Sequence, residues 1–182
     1  MGLYDFGFYD LIERNAVCFQ NRPAWFEVDD QRTLTFAEYK NKVDRLACGL
    51  KAAGIKKGDR IGAFGKNSLE FFCLYGAAGA LGAIVLPINW RLSVEEALFN
   101  LNDCEPVMLF VDPEYQEMIE TVKDKLPCVK NYYSMKPPAG GFAGFDTLLT
   151  NGGYFQPADV SADDGLVIIL SLIHISEPTR LC

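Results

Sequence analysis

Gly65-Lys66-Asn67-Ser68 sits where a short apolar run gives way to a helix start. A lysine beside the free amides of a helix N-terminus is an arrangement that binds anions. The spacing does not complete it: G-x-x-x-x-G-K-[ST] needs glycine at position 60 and Ser or Thr at position 67, and the chain has Arg60 and Asn67. The four residues therefore read as a loop and an N-cap. No G-x-G-x-x-G opens a βα turn, and Gly140-Gly141-Phe142-Ala143-Gly144 falls in a loop, so a dinucleotide site has little support. Neither a G-x-S-x-G elbow nor H-E-x-x-H occurs. The adjacent acids Glu95/Glu96 and Asp163/Asp164 read as solvated caps rather than an acid/base pair. Asn89 and Arg91 follow the C-terminal end of a strand, the side on which parallel sheets bind ligands. They are the polar pair to watch, although an Arg91 that anchors the next helix is the safer explanation. Phe71, Phe72, Tyr75 and Met118 fit core stripes. On the residues alone no catalytic, cofactor-binding or metal-ligating residue is assigned.

The elements that would position such groups centre on Gly58 to Leu92. A short apolar run, Ile61 to Phe64, leads to a helix-start signal at Asn67/Ser68 with Glu70 in the first turn; Gly82 stops the helix and a second run, Ala83 to Pro87, follows. Strand, helix and strand with short connections make a βαβ unit of a parallel sheet. Gly76, Ala77, Ala78, Gly79 and Ala80 are expected to let this helix lie close on the strands. Between Glu70 and Arg91 no charged residue occurs, a length that could cross a bilayer. Three glycines, Pro87, Asn89 and the turn-and-strand preamble argue for a buried core element instead.

Flanking segments repeat the alternation. Phe8 to Phe19 suits an amphipathic helix with Phe8, Leu11, Ile12 and Phe19 on one side. Ala24 to Val28 and Thr33 to Thr35 suit an edge hairpin. Thr35-Phe36-Ala37-Glu38 and Ser93-Val94-Glu95-Glu96 are capping boxes. The first starts a helix with Phe36, Tyr39, Val43, Leu46, Ala47 and Leu50 in register, closed at Gly54; the second turns Val94, Ala97, Leu98 and Leu101 inward. Val107 to Val111 and Val129 to Tyr133 read as strands. Between them Asp112-Pro113-Glu114 gives an N-cap, a first-turn proline and an acid, ahead of a stripe from Tyr115 to Leu126. Met135 to Gly144 reads as a surface loop, Phe145 to Leu149 as one helical turn, Asn151 to Asp159 as another loop, and Leu166 to Leu170 as a last strand. The fold class is α/β, a layered, mostly parallel sheet with flanking helices.

Composition bounds the function. The 182 residues are 49% hydrophobic and 23% charged, which suffices for a core. A net charge of -7 without a basic patch argues against a nucleic-acid surface. Six scattered cysteines with no C-x-x-C pair suggest neither zinc nor a redox motif, and a reduced, cytoplasmic setting is expected.

The order of segments carries a resemblance. Leu34 to Tyr39, Gly54 to Gly62, Lys66 to Phe71, Gly79 to Leu92 and Glu95 to Asp103 together are similar to the N-terminal part of adenylate-forming ligases of the acyl-CoA synthetase type, up to about Leu170. The resemblance implies an incomplete N-terminal subdomain of that fold. In the full-length parent it implies ATP, Mg2+, coenzyme A and a small carboxylic acid, activated through an acyl-adenylate, as in fatty acid metabolism. Asp163 to Leu170 resembles the approach to the family's phosphate-binding loop, which does not follow. No family catalytic residue can therefore be carried onto this sequence. Leu170 to Arg180 instead resembles a translated sequencing adapter, so residues 1–170 are expected to be truncated domain and 171–182 a non-native tail that contains the single histidine, His174. The fragment itself is expected to be inactive, without a cofactor and without a membrane span. A standalone α/β nucleotide-binding or interaction module, and a membrane-anchored protein, are the readings from other classes.

Overall fold

The computed structural model describes residues 6–137, 141–149 and 155–169; Gly140, residues 150–154, Leu170 and the expected tail with His174 lie outside them. Helix α1 (Phe8–Cys18) leads to a separate antiparallel hairpin of β1 (Pro23–Glu27) and β2 (Arg32–Thr35). Helix α2 (Phe36–Ala52) follows, and then the alternation β3 (Arg60–Phe64), α3 (Leu69–Leu81), β4 (Ile84–Ile88), α4 (Val94–Cys104), β5 (Met108–Val111). A short 3-10 turn (Pro113–Tyr115) precedes α5 (Gln116–Val122), and β6 (Asn131–Ser134), β7 (Ala143–Gly144) and a 3-10 turn (Phe145–Leu148) complete the described elements.

Strands β3 to β7 form one sheet in the order β4-β3-β5-β6-β7, parallel throughout. Period-2 alternation sends their side chains to two cores. Ile61, Ala63, Val85, Met108 and Phe110 join α1, α2 and α3 on one face. Phe64, Leu86, Ile88, Leu109 and Val111 join Ala97 and Leu101 of α4 and Ile119 and Val122 of α5 on the other. The α/β layered expectation holds, and so does the βαβ unit at its centre. Both capping boxes form: the Thr35 and Ser93 hydroxyls accept from the amides of Glu38 and Glu96, whose carboxylates return to the cap amides. Gly82 ends α3 at φ +66, a left-handed conformation that favours glycine.

Several expectations change. Gly76 does not face the strands: a Cβ on it would meet Val43 at 2.6 Å and Ile12 at 3.0 Å, whereas one on Gly79 would meet Leu166, whose carbonyl accepts from Val85 of β4, and Phe8 at the start of α1. Gly76 thus seats α1 and α2 on α3, while Ala77, Ala78 and Ala80 share a core with Ile61, Ala63 and Val85 of the sheet. On α1 the buried residues are Tyr9, Ile12 and Ala16, while Leu11 and Phe19 are exposed. Tyr9 goes in because its hydroxyl donates to Asp44 at 2.6 Å, which hydrophobicity alone does not reveal. The loop expected over Met135 to Gly144 contains β7, paired to Tyr133 and Ser134, with Met135 and Phe142 buried. Among the described residues of the last expected strand, Val167 alone is bridged, parallel to Val85, through bonds of 2.9 and 3.0 Å.

Candidate functional site

The strand order places a switch point at the C-terminal ends of β3 and β5. From β3 the chain leaves toward β4 through α3, on one face; from β5 it leaves toward β6 through α5, on the other. The connections diverge, and such a crevice is where open α/β sheets bind ligands. Three connections meet along this edge: Gly65–Ser68 after β3, Asn89–Ser93 after β4 and Asp112–Tyr115 after β5.

Ser68 caps α3, its hydroxyl accepting from the Phe71 amide at 3.2 Å. That confirms the N-cap reading of the Gly-Lys-Asn-Ser stretch. The anion-site reading meets two carboxylates already in place. Asp112 Oδ2 accepts from the Lys66 amide at 2.7 Å, and Glu114 pairs with the Lys66 ammonium at 2.7 Å. The Glu114 partnership holds the Lys66 ammonium above its usual value and, reciprocally, the Glu114 carboxyl below its own. Asp112 makes no side-chain cap of its own helix, contrary to the sequence expectation. Instead its carboxyl turns back under the β3–α3 loop, where a Cβ on Gly65 would overlap it. Glycine is needed there for the close approach. Burial raises the Asp112 carboxyl above the ordinary aspartate range, the Lys66 amide offsetting only part of the cost, and Oδ1, closed off from solvent, has no hydrogen-bond donor among the described residues.

On the β4 side of the loop lies a cleft of about 310 Å3 lined by Gly65, Asn67, Phe71, Trp90, Asn100 and Ile169, among others. Trp90 stands at its mouth with the Arg91 guanidinium 4.2 Å and the Lys66 ammonium 5.2 Å from its ring centre. Asn89 and Arg91, the watched pair, are brought together, but through backbone: Asn89 Oδ1 accepts from the Arg91 amide at 3.0 Å. The Arg91 guanidinium stacks on Trp90. Asn100 is 7% exposed and makes no side-chain hydrogen bond among the described residues. Sequence reasoning passed over it, although its place between Ala97 and Leu101 on the inward face of α4 was the available signal.

Beneath the loop's far end Glu70, 5% exposed, takes a bidentate pair of bonds from Arg32, both 2.8 Å, with Lys42 at 3.4 Å. Burial alone would raise this carboxyl; Arg32, the helix-end amide and Lys42 override it and hold it below the glutamate range. Arg32 also binds Glu27, which Lys136 approaches at 3.5 Å, so the hairpin is fastened to α3 through charges. A first-turn acid was legible at Glu70; its burial and partner, 38 residues away, were not.

The acids elsewhere are structural. Glu96 completes its capping box, Glu95 is exposed, and Asp164 accepts from the Ser161 amide at 2.7 Å while pairing with Lys57 at 2.6 Å. Cys73 is buried and its thiol is pushed up to about 12 by burial, so it behaves as a small hydrophobe. Cys18, by contrast, is exposed. Among the described residues no three His, Cys, Asp or Glu side chains are placed to hold a metal ion, and no helix is long and apolar enough to cross a membrane. The edge thus offers recognition groups: an aromatic face, cations and amides.

A family model described as "AMP-binding enzyme" matches residues 12–171. An indoleacetate–CoA ligase from Aromatoleum aromaticum is 34% identical over 129 residues, 71% of this chain and 25% of the relative. A crystal structure assigned to a long-chain-fatty-acid CoA ligase from Rhodopseudomonas palustris CGA009 superposes with a TM-score of 0.85 at 35% identity, covering 92% of this chain and 42% of that one. The anthranilate CoA ligase AuaEII, solved with anthranoyl-AMP, gives a TM-score of 0.81 at 26% identity over 92% of this chain and 31% of that one. The chain spans about a quarter of the length of the curated relatives it matches.

Proposed function

Because the chain belongs to the AMP-binding enzyme family, we propose that residues 1–170 are the N-terminal part of an ATP-dependent acid–CoA ligase. In the parent, a carboxylate would attack the α-phosphate of ATP, releasing pyrophosphate, and the thiol of coenzyme A would then displace AMP from the acyl-adenylate. The observation that carries this reading is the family match across residues 12–171, to which the acid–CoA ligase relatives add their common reaction type. The scaffold's share of the work would be binding: the cleft between the β3 and β4 connections would form one wall of a substrate site. Among the described residues no three His, Cys, Asp or Glu side chains are grouped to hold Mg2+ by themselves.

By itself the 182-residue chain is proposed to be inactive. Residues 171–182, Ser-Leu-Ile-His-Ile-Ser-Glu-Pro-Thr-Arg-Leu-Cys, contain no glycine and supply no counterpart of the phosphate-binding loop that the resemblance places there. We propose that they are a non-native tail, that the parent acts in the cytoplasm, and that neither nucleic acid nor a membrane is its partner. Carboxylate-dependent exchange of pyrophosphate into ATP tests the inactivity directly. The purified chain is expected to stay at the blank rate with aromatic and long-chain acids alike, and exchange above it overturns the proposal. Resequencing the locus past the codon for Leu170 tests the tail, which native codons there would refute.

A further inference from the structure

Asn100 sits on the inward face of α4 with Ala97 and Leu101, 7% exposed and without a side-chain hydrogen bond among the described residues. A buried amide left unpaired destabilises a fold, whereas a leucine of similar size at the same place would not. The amide is nevertheless not sealed in. The described side-chain atoms that lack a partner and are closed off from solvent are Asp112 Oδ1, Gln116 Oε1 and Tyr132 OH; neither amide atom of Asn100 is among them. Its remaining surface opens into the cleft of about 310 Å3 between the β3 and β4 connections, which it lines.

The rest of the wall specifies what can meet that amide. Phe71, Trp90 and Leu92 make it largely apolar, and none of its described lining residues is charged. Lys66 and Arg91 lie over the Trp90 ring without lining the cleft, and Lys66 is paired with Glu114. Asn89 Oδ1 already accepts from the Arg91 amide. An ionised ligand would give up hydration here without meeting a counter-charge on the lining. A neutral carboxamide loses less and matches Asn100 twice: its N–H donates to Oδ1 while its carbonyl accepts from Nδ2. We propose that the cleft takes a compact aromatic carboxamide, held by Asn100 in a paired amide–amide contact with its ring among Phe71, Trp90 and Leu92. A single ring suits a volume at the lower end of the range for small-molecule pockets, roughly 300–1,000 Å3. This rests on the reading of the cleft as one wall of a substrate site and names the group that the wall recognises.

The full chain, labelled with 15N, would be titrated with benzamide and separately with benzoate while the Asn100 side-chain amide and the Trp90 indole N–H resonances are followed. Saturable movement with benzamide is expected, at an affinity about fivefold or more above that for benzoate, since the carboxylate has no donor for Oδ1. Asn100→Leu is expected to weaken benzamide binding about tenfold or more, read at the Trp90 indole, because both amide bonds are lost. Asn102→Ala, exposed on the same helix and off the cleft, should leave the affinity unchanged. Absence of saturation, equal affinity for benzoate, or equal affinity in Asn100→Leu overturns the proposal. Should that variant fail to fold, the unaltered chain decides: benzamide is expected to displace both Asn100 side-chain N–H resonances, and resonances that stay in place refute the site. Failure to bind would leave the pyrophosphate-exchange result, and with it the ligase reading, as it stands.

Discussion

Two carboxylates flank the β3–α3 loop, each 5% exposed, and they solve burial in opposite ways. Glu70 has a forked guanidinium on both oxygens and a lysine behind it; Asp112 has one backbone amide and an oxygen with no donor among the described residues. The first carboxyl is held below its ordinary value and the second above it. Glu70 therefore ties the hairpin to the central helix, whereas Asp112 lies closed off beneath the Gly65 loop at the sheet's switch point, with one oxygen lacking a donor among the described residues. A buried charge with both oxygens paired fastens elements together; one with an unpaired oxygen is a cost that the fold carries.

Removing the Glu70 partner should break the comparison most severely. Arg32→Met leaves Glu70 buried opposite Lys42 alone. Losses for one-sided removal of a buried pair run to about 3–5 kcal/mol, but the Arg32 side chain is 38% exposed, so about 2 kcal/mol is expected in urea unfolding. Restoring part of it with Arg32→Met/Glu70→Leu would show that the cost lay in the orphaned charge. Gly65→Ala forces a methyl group onto the Asp112 carboxyl and should cost about 1–2 kcal/mol as overpacking; Asp112→Ala in the same chain should relieve most of that cost, and additive losses would deny the contact.

These two sites also mark what the sequence discloses. Periodicity and capping boxes placed α2, α3 and α4 because those signals lie within one turn of chain: Thr35 with Glu38, Ser93 with Glu96, Ser68 with Phe71. Asn89 and Arg91 were legible at the right edge because a strand end can be read locally. The Arg32–Glu70 fork spans 38 residues and the Lys66–Asp112 bond 46, and no short pattern encodes either. Asp112-Pro113-Glu114 do occupy the N-cap, first-turn proline and first-turn acid positions, but the Asp112 carboxyl accepts from the Lys66 amide instead of capping its own turn, which no local pattern discloses. Composition likewise suggested that Gly76 served the sheet, and only the packing of α1 and α2 assigns it to helix contacts.

The smallest effects should come from pH, and their signs oppose. A lowered folded value makes Glu70 contribute stability above the ordinary glutamate pKa, lost as pH falls through the lowered one. A raised folded value makes Asp112 contribute below the ordinary aspartate pKa, lost as pH rises through the raised one. Asp112→Asn should therefore make stability less sensitive to rising pH above about pH 4. Glu70→Gln should remove part of the loss on acidification below that pH, as urea midpoints at each pH would record.

Carboxyl-carbon NMR titration of the unaltered chain without added ligand tests the contrast most directly. The account predicts an Asp112 midpoint above the ordinary aspartate value and a Glu70 midpoint below the ordinary glutamate value. An Asp112 midpoint at or below the ordinary one would mean that its second oxygen is already satisfied, and the distinction between a fastened and an unsatisfied carboxylate at this loop would fall.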